Sequence, residues 1–300
     1  MSASNPAGVG VESNSRRLAR GRVSFQRPVI RPGLALGFCI ILGVIIGPEI
    51  WNHSPIDQSA SLRLQNPSLN HPLGTDRYGR DLFARVLIGG RWTLAGGFFV
   101  TLGVSGIAMT IGAITAIGFR WLDQTLGRVI DAMLAIPNLV IALALTSLLG
   151  PSFRNVIVAL IITGWPWYAR AYRMVFLQAW SASFVEGSIA CGATRPRTLI
   201  RHVLPSAAGP IAVLVTINLG FSILNLTSLS FLGLGIQPPT PEWGALINDA
   251  RPYFQKAPLQ MVAPGLAIVL SVLAINVAGD EIRDHFDPRI SNRYRPKSRR

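Results

Sequence analysis

The chain has 300 residues, 50% of them hydrophobic and only 14% charged, with a mean hydropathy of +0.40. Soluble domains carry about a quarter charged residues, so this composition argues against an ordinary soluble enzyme. The net charge of +14 invites nucleic acid as a partner, but the basic residues are nearly all arginines beside long apolar runs, where membrane orientation explains them better.

No nucleic-acid partner is therefore expected. The two cysteines, Cys39 and Cys191, suggest neither a disulfide framework nor a metal site.

In chain order, residues 1–32 form a small, polar, basic tail with Arg16, Arg17, Arg20, Arg22, Arg27 and Arg31. An uncleaved first transmembrane helix is expected at 33–51, since no small-x-small cleavage site follows it. Residues 52–91 read as a periplasmic or extracellular segment. Gly74 and Gly79 mark turns there, and Asp81 is placed to start a helix running towards Arg91.

Five further apolar runs predict spans near 92–119, 129–150, 155–177, 207–232 and 260–281. A span needs roughly 20 residues at 1.5 Å each. The third run carries Arg170 and Arg173, expected to snorkel to headgroups. The surplus of the fourth, Ser230–Pro241, is rich in glycine and proline and predicts a turn-rich outer segment. Residues 283–300 form a second basic tail.

The expected architecture is thus an all-α polytopic membrane protein with six transmembrane helices. With both termini inside, the inner segments hold 20 of the 28 Lys and Arg residues. That excess places both termini and the polar stretch Ser183–Pro205 in the cytoplasm.

Several chemistries lack their motifs. No GxxxxGK[ST] is present, so no P-loop grips ATP phosphates. His53, His71, His202 and His285 have no metal-ligand spacing, and nothing resembles G-x-S-x-G. No catalytic residue, metal or cofactor is expected.

The stretch Ser183–Pro205 stands out. Val185 and Ile189 are four residues apart, as are Leu199 and Val203, so each half can present one apolar face. Gly192 lies between the halves, where a sharp turn needs no Cβ. Pro196 suits the first turn of the second half. Two short helices with a bend are predicted. Spacing alone leaves an ordinary cytoplasmic loop equally open.

A second constellation is polar. Asn218, Ser222 and Asn225 fall at i, i+4 and i+7 in one apolar run, and Asn276 and Asp280 are similarly spaced in the last. Interhelical hydrogen bonding accounts for any single one of them. A stripe of three points towards a water-filled cavity.

Glu186-Gly-Ser-Ile-Ala-Cys-Gly192 through Leu204-Pro205 resembles the EAA motif of binding-protein-dependent ABC importer permeases. The Glu-to-Gly and Gly-to-Pro spacings match, whereas Gly187 and Ser188 replace two alanines and His202 an isoleucine. Leu73-Gly-Thr-Asp-Arg-Tyr-Gly-Arg-Asp81, Ser230–Gly244 and Gly279–Arg289 resemble the C-type subunit for dipeptides, oligopeptides or nickel.

That resemblance implies a type I ABC importer transmembrane fold, with a permease domain at 92–282, in the bacterial cytoplasmic membrane. It implies ATPase coupling by Glu186, Gly187, Ala190, Gly192, Ala193, Arg195, Arg197, Leu204 and Pro205. It also implies a B-type permease partner, two ATP-binding subunits and an extracytoplasmic solute-binding protein. Asn218, Ser222, Asn225 and Asn276 become candidate pathway residues, with Asn218 and Asn225 expected to face the partner permease. Peptides are the expected cargo. The alternatives are nickel or glutathione in the same machine, or an ATP-independent secondary transporter or channel.

Overall fold

The computed structural model describes residues 30–118 and 120–286. Most of the two expected basic tails, 1–32 and 283–300, and the Asp287–Arg289 part of the resemblance lie outside these residues. Among the described residues there is no β-strand, only one isolated bridge between Thr75 and Asp81.

The helices are α1 (Ile30–Ile50), α2 (Leu82–Ile117), α3 (Arg120–Leu134), α4 (Asn138–Leu149) and α5 (Phe153–Trp180). Three short helices follow: α6 (Ser183–Ala190), α7 (Arg195–Thr198) and, after a π-helical turn at Leu199–Val203, α8 (Leu204–Ser206). The chain continues as α9 (Ala208–Phe231), α10 (Trp243–Ala250) and α11 (Leu259–Phe286).

Among the described residues, length and composition mark three helices as able to cross a membrane: Leu82–Ile117, Ala208–Phe231 and Leu259–Ile282. The bent pair α3–α4 makes a fourth crossing if it is counted as one. Six were expected. The difference lies in α1, whose apolar part Ala35–Ile50 is short, and in α5, which carries Arg154, Arg170 and Arg173.

Two expected boundaries change. Instead of a helix that stops near Arg91 and a separate span at 92–119, α2 is one helix of 36 residues. Asp81 caps it, accepting from the Ala84 N–H at 2.7 Å, which satisfies one orphan donor of its first turn. Arg91 then sits inside the helix. It donates to the Val44 carbonyl at 3.0 Å and to Glu49 at 3.0 Å, so its charge is spent on the end of α1.

The expected span at 129–150 is instead two helices meeting at 81°. Pro137 lacks an N–H, and the residue before a proline is disfavoured in helical conformation. The break therefore falls at Ala135–Pro137. With 12 residues, α4 is about 18 Å long.

α2 packs along α5 and α9, α4 packs on α5, and α11 packs along α9 and α1. The close α2–α5 contact needs Gly112: a Cβ there would lie 2.9 Å from the Arg173 backbone nitrogen. Small residues let membrane helices approach in this way. One apolar core joins Val104, Val156, Tyr172, Phe176 and Leu226 with Val185 and Val203. A second gathers Val44, Ile223, Trp243, Leu246 and Ile268 where α1, α9, α10 and α11 meet.

A candidate coupling element and cavity

The Ser183–Ser206 stretch joins the end of α5 to the start of α9 and forms a helix–turn–helix on the surface of the bundle. The predicted bend is present. Gly192 has φ of 87°, in the left-handed region. Its N–H donates to the Ile189 carbonyl at 2.9 Å, and the Ala193 N–H donates to the Ser188 carbonyl at 3.1 Å. That pair of bonds is the Schellman closure of a helix, with glycine just past the C-cap. Pro196 lies in the first turn of α7, where a missing N–H costs nothing.

The second half ends differently from a plain helix. Pro205 cannot donate to Arg201, four residues back, and its ring would crowd that carbonyl. The chain widens instead into a π turn, and the Leu204 N–H reaches the Leu199 carbonyl. π turns of this kind are local insertions within α-helices.

Anchoring and exposure divide cleanly. Val185, Thr198 and Val203 are fully buried and tie the element to the bundle. Glu186, Gly187, Ala190, Gly192, Arg195, Arg197, Leu204 and Pro205 are exposed, and Ala193 is half-buried. The expected shared face of Val185 and Ile189 is not formed, because Val185 is buried while Ile189 is 41% exposed. α6 has only two turns and rests on the bundle through one. Phe184 and Ile200 are 53% and 66% exposed, so the outward surface mixes apolar side chains with arginines.

The element is also tied to neighbouring helices. The Arg195 guanidinium donates to the Ile117 carbonyl at 3.2 Å, at the C-terminal end of α2. A cation at a helix C-terminus is favourably placed. Arg173 makes a two-pronged pair with Asp123 of α3 at 2.8 and 2.7 Å, and Arg170 pairs with Asp131. The two arginines expected to snorkel to lipid headgroups therefore hold α3 against α5.

A cavity of about 460 Å³ opens between α2, α5 and α9, with contributions from Leu134 and Asn138. Asn218, Ser222 and Asn225 all line it. Asn218, expected to face a partner permease, is instead buried and donates to Ser105 of α2 at 3.0 Å. Its carboxamide oxygen accepts from Ser222 at 3.2 Å. An interhelical bond and a cavity position thus coincide in one residue. Asn276 is exposed on α11 near Gly220, apart from the cavity. Trp167, Tyr168 and Phe221 supply aromatic walls that the sequence reading missed. The signal was present in the Trp165-Pro-Trp-Tyr168 cluster, an aromatic group within an apolar run.

At the opposite end of the bundle, the Gly-Thr-Asp-Arg-Tyr-Gly-Arg-Asp motif folds into a buried ionic cluster. Asp76 accepts from the Arg80 guanidinium at 2.6 Å and from the Tyr78 and Arg80 N–H groups at 2.8 and 3.0 Å. Arg85, also buried, donates to the Pro55 carbonyl at 2.9 Å and lies 3.6 Å from Asp76. Asp249 of α10 stands within 4.0 Å of Arg77, Arg80 and Arg85. His71 pairs with Asp81 at 2.6 Å. Buried charges require such mutual compensation.

Beside it, Glu242 is fully buried and starts α10 by accepting from the Ala245 N–H at 3.0 Å. The Thr93 hydroxyl donates to it at 2.8 Å and accepts from the Trp243 N–H at 3.2 Å. Burial pushes the Glu242 carboxyl above its ordinary range, and the hydrogen bonds it accepts offset part of that shift.

Residues 108–292 match the family described as "Binding-protein-dependent transport system inner membrane component". The dipeptide transport system permease protein DppC of Alkalihalophilus pseudofirmus is 37% identical over 260 residues, covering 87% of this chain and 86% of its own. The glutathione transport system permease protein GsiD of Escherichia coli is 42% identical over 224 residues, covering 75% of this chain and 74% of its own. Among solved structures, "Inward facing conformations of the MetNI methionine ABC transporter" is similar in fold, with a TM-score of 0.57 at 19% identity. That likeness covers 67% of this chain and 96% of the other. This multi-pass membrane protein belongs to the family of binding-protein-dependent transport system inner membrane components.

Proposed function

We propose that this chain is the permease subunit of an ATP-driven peptide importer, with Ser183–Pro205 as the docking point for a separate ATPase. The observation that carries the proposal is the surface-exposed turn at Gly192, closed by two backbone hydrogen bonds and built between α5 and α9, two of the helices that line the cavity. A load applied to Glu186, Arg195 or Arg197 passes through Val185 and Val203 into α5 and α9. The exposed mixture of apolar and basic side chains suits a protein partner.

The chain crosses the membrane six times in this reading, with α1 and α5 as crossings and both termini cytoplasmic. The 20 of 28 basic residues on the inner side support that orientation. A second permease of B type completes the pathway, two ATP-binding subunits drive it and an extracytoplasmic protein delivers the solute. Hydrolysis belongs to the ATP-binding subunits. Asn218, Ser222 and Asn225 offer amide and hydroxyl groups to a peptide backbone, and the aromatic walls accept varied side chains. Asn276 faces away from the cavity and is proposed to meet the partner permease.

Glutathione is the second reading, favoured by the relative named for it. The test is uptake into proteoliposomes holding the complete complex. ATP-dependent import of a labelled dipeptide that exceeds import of glutathione supports the proposal. Import of glutathione or nickel alone overturns the peptide assignment. Uptake that persists without ATP overturns the importer reading.

A further inference from the structure

We propose that Tyr172, Ser105 and Asn218 form a polar latch that closes the cytoplasmic end of the cavity until the coupling element moves. This rests on the function and orientation proposed above.

The latch is a single knot across three helices. The Tyr172 hydroxyl on α5 donates to Ser105 Oγ on α2 at 3.3 Å, and the Asn218 amide on α9 donates to the same oxygen at 3.0 Å. Ser222 adds a bond to Asn218 at 3.2 Å. Tyr172, Ser105 and Asn218 are all buried. Ser105 is therefore the shared acceptor, and separating any two of the helices breaks a bond.

Its position gives the knot a role. On α2 the cavity is lined by Val100 and Val104, and Ser105 comes next towards the inner end. On α5 the lining runs from Leu160 to Tyr168, and Tyr172 lies one turn further in. On α9, which runs in the opposite direction, Asn218 is the innermost lining residue. All three helices thus pass from cavity to knot at the same level.

The knot also lies on the route from the coupling element. Tyr172 is about 12 Å along α5 from Trp180, and Asn218 about 15 Å along α9 from Ala208. These are the two helices to which the element is covalently joined. A movement that parts α5 from α9 strains both bonds to Ser105 together. Shared-acceptor networks of this kind have discrete bonded and broken arrangements rather than a continuum. Tyr172, Ser105 and Asn218 are thus positioning residues, setting how often the cavity opens inwards.

The test uses the full complex in inside-out vesicles, with the exposed Cys39 and Cys191 replaced by serine. Asn225→Cys in the cavity wall reports access to a membrane-impermeant thiol reagent applied from the cytoplasmic side. Tyr172→Phe is expected to speed labelling about fivefold, the worth of one net hydrogen bond, and Ser105→Ala, which removes both bonds to the shared acceptor, by more than that. They are also expected to raise ATP hydrolysis in the absence of the solute-binding protein. Ser105→Thr, which retains the hydroxyl, is expected to label at the parental rate. The double variant is expected to label no faster than Ser105→Ala alone.

Unchanged labelling in Tyr172→Phe overturns the latch even if Ser105→Ala fails to accumulate, because that variant loses a single oxygen atom. Equal acceleration in Ser105→Thr and Ser105→Ala also overturns it, since general loosening would then be the cause. Labelling needs no transported solute. A complex that imports no peptide but shows the expected labelling pattern leaves the latch standing and removes the peptide assignment.

Discussion

Replacing Gly192 should separate ATP hydrolysis from transport without unfolding the subunit. Its φ of 87° is a conformation that costs other L residues roughly 1–2 kcal/mol. A Cβ at this position would meet no atom within 4 Å, so crowding adds nothing and the whole cost is in the backbone. Domain stability is about 5–15 kcal/mol, and the lost amount falls well short of that. It is nonetheless enough to shift the local equilibrium of the turn by a factor of about 5–30.

The chain can relieve the strain only by giving up the Schellman bonds to Ser188 and Ile189, which re-aims α7. Gly192→Ala should lower ATP-driven dipeptide uptake several-fold at equal membrane abundance, and Gly192→Val should lower it further because β-branching stiffens the side chain. Gly192→Asn should retain most activity, since asparagine visits the left-handed region more readily. Uptake, ATP hydrolysis and membrane abundance are measured together in proteoliposomes. If Val, Ala and Asn reduce uptake equally, or if Val transports at the parental rate, the backbone explanation is refuted.

Asp76→Ala takes from buried Arg80 and Arg85 their nearer carboxylate and leaves only Asp249, 3.8 and 4.0 Å away; a loss of about 3 kcal/mol is expected, read as lower thermal stability of the solubilised complex, with Asp76→Asn milder. Glu242 has a folded-state pKa above its ordinary value of 4.5, so the folded form binds more protons than the unfolded one above that pH. The contribution of Glu242 to stability should be fully present below pH 4.5 and decline as pH rises through the raised folded value. Glu242→Gln should flatten that slope in thermal unfolding across the acid-to-neutral range. Asn225→Leu removes a polar group from the cavity wall; the KM for dipeptide uptake should rise while ATP hydrolysis without the binding protein is unchanged.

Some features were legible because they are written in neighbouring residues. The bend at Gly192 and the placement of Pro196 follow from backbone preferences that act over a few residues. The cap at Asp81 is equally local. The break between α3 and α4 is written at Ile136-Pro137, but hydrophobicity runs unbroken across it and hides it. The helical run through Arg91 is hidden for the opposite reason. A charge marks the edge of a span only where nothing pairs with it, and here Glu49 and the end of α1 provide for it.

The sequence by itself determined the class of the protein, the location of the stretch proposed to couple it to an ATPase and the turn within that stretch. Composition sets the solvent, charge asymmetry favours one orientation, and glycine and proline mark where the backbone can bend. Only the tertiary structure decided which polar residues meet. Ser105 lies 113 residues from Asn218, and Thr93 lies 149 from Glu242. No periodicity links positions that far apart. Their pairing depends on how α2 packs against α5, α9 and α10, and a buried polar group must find its partner wherever that packing places one.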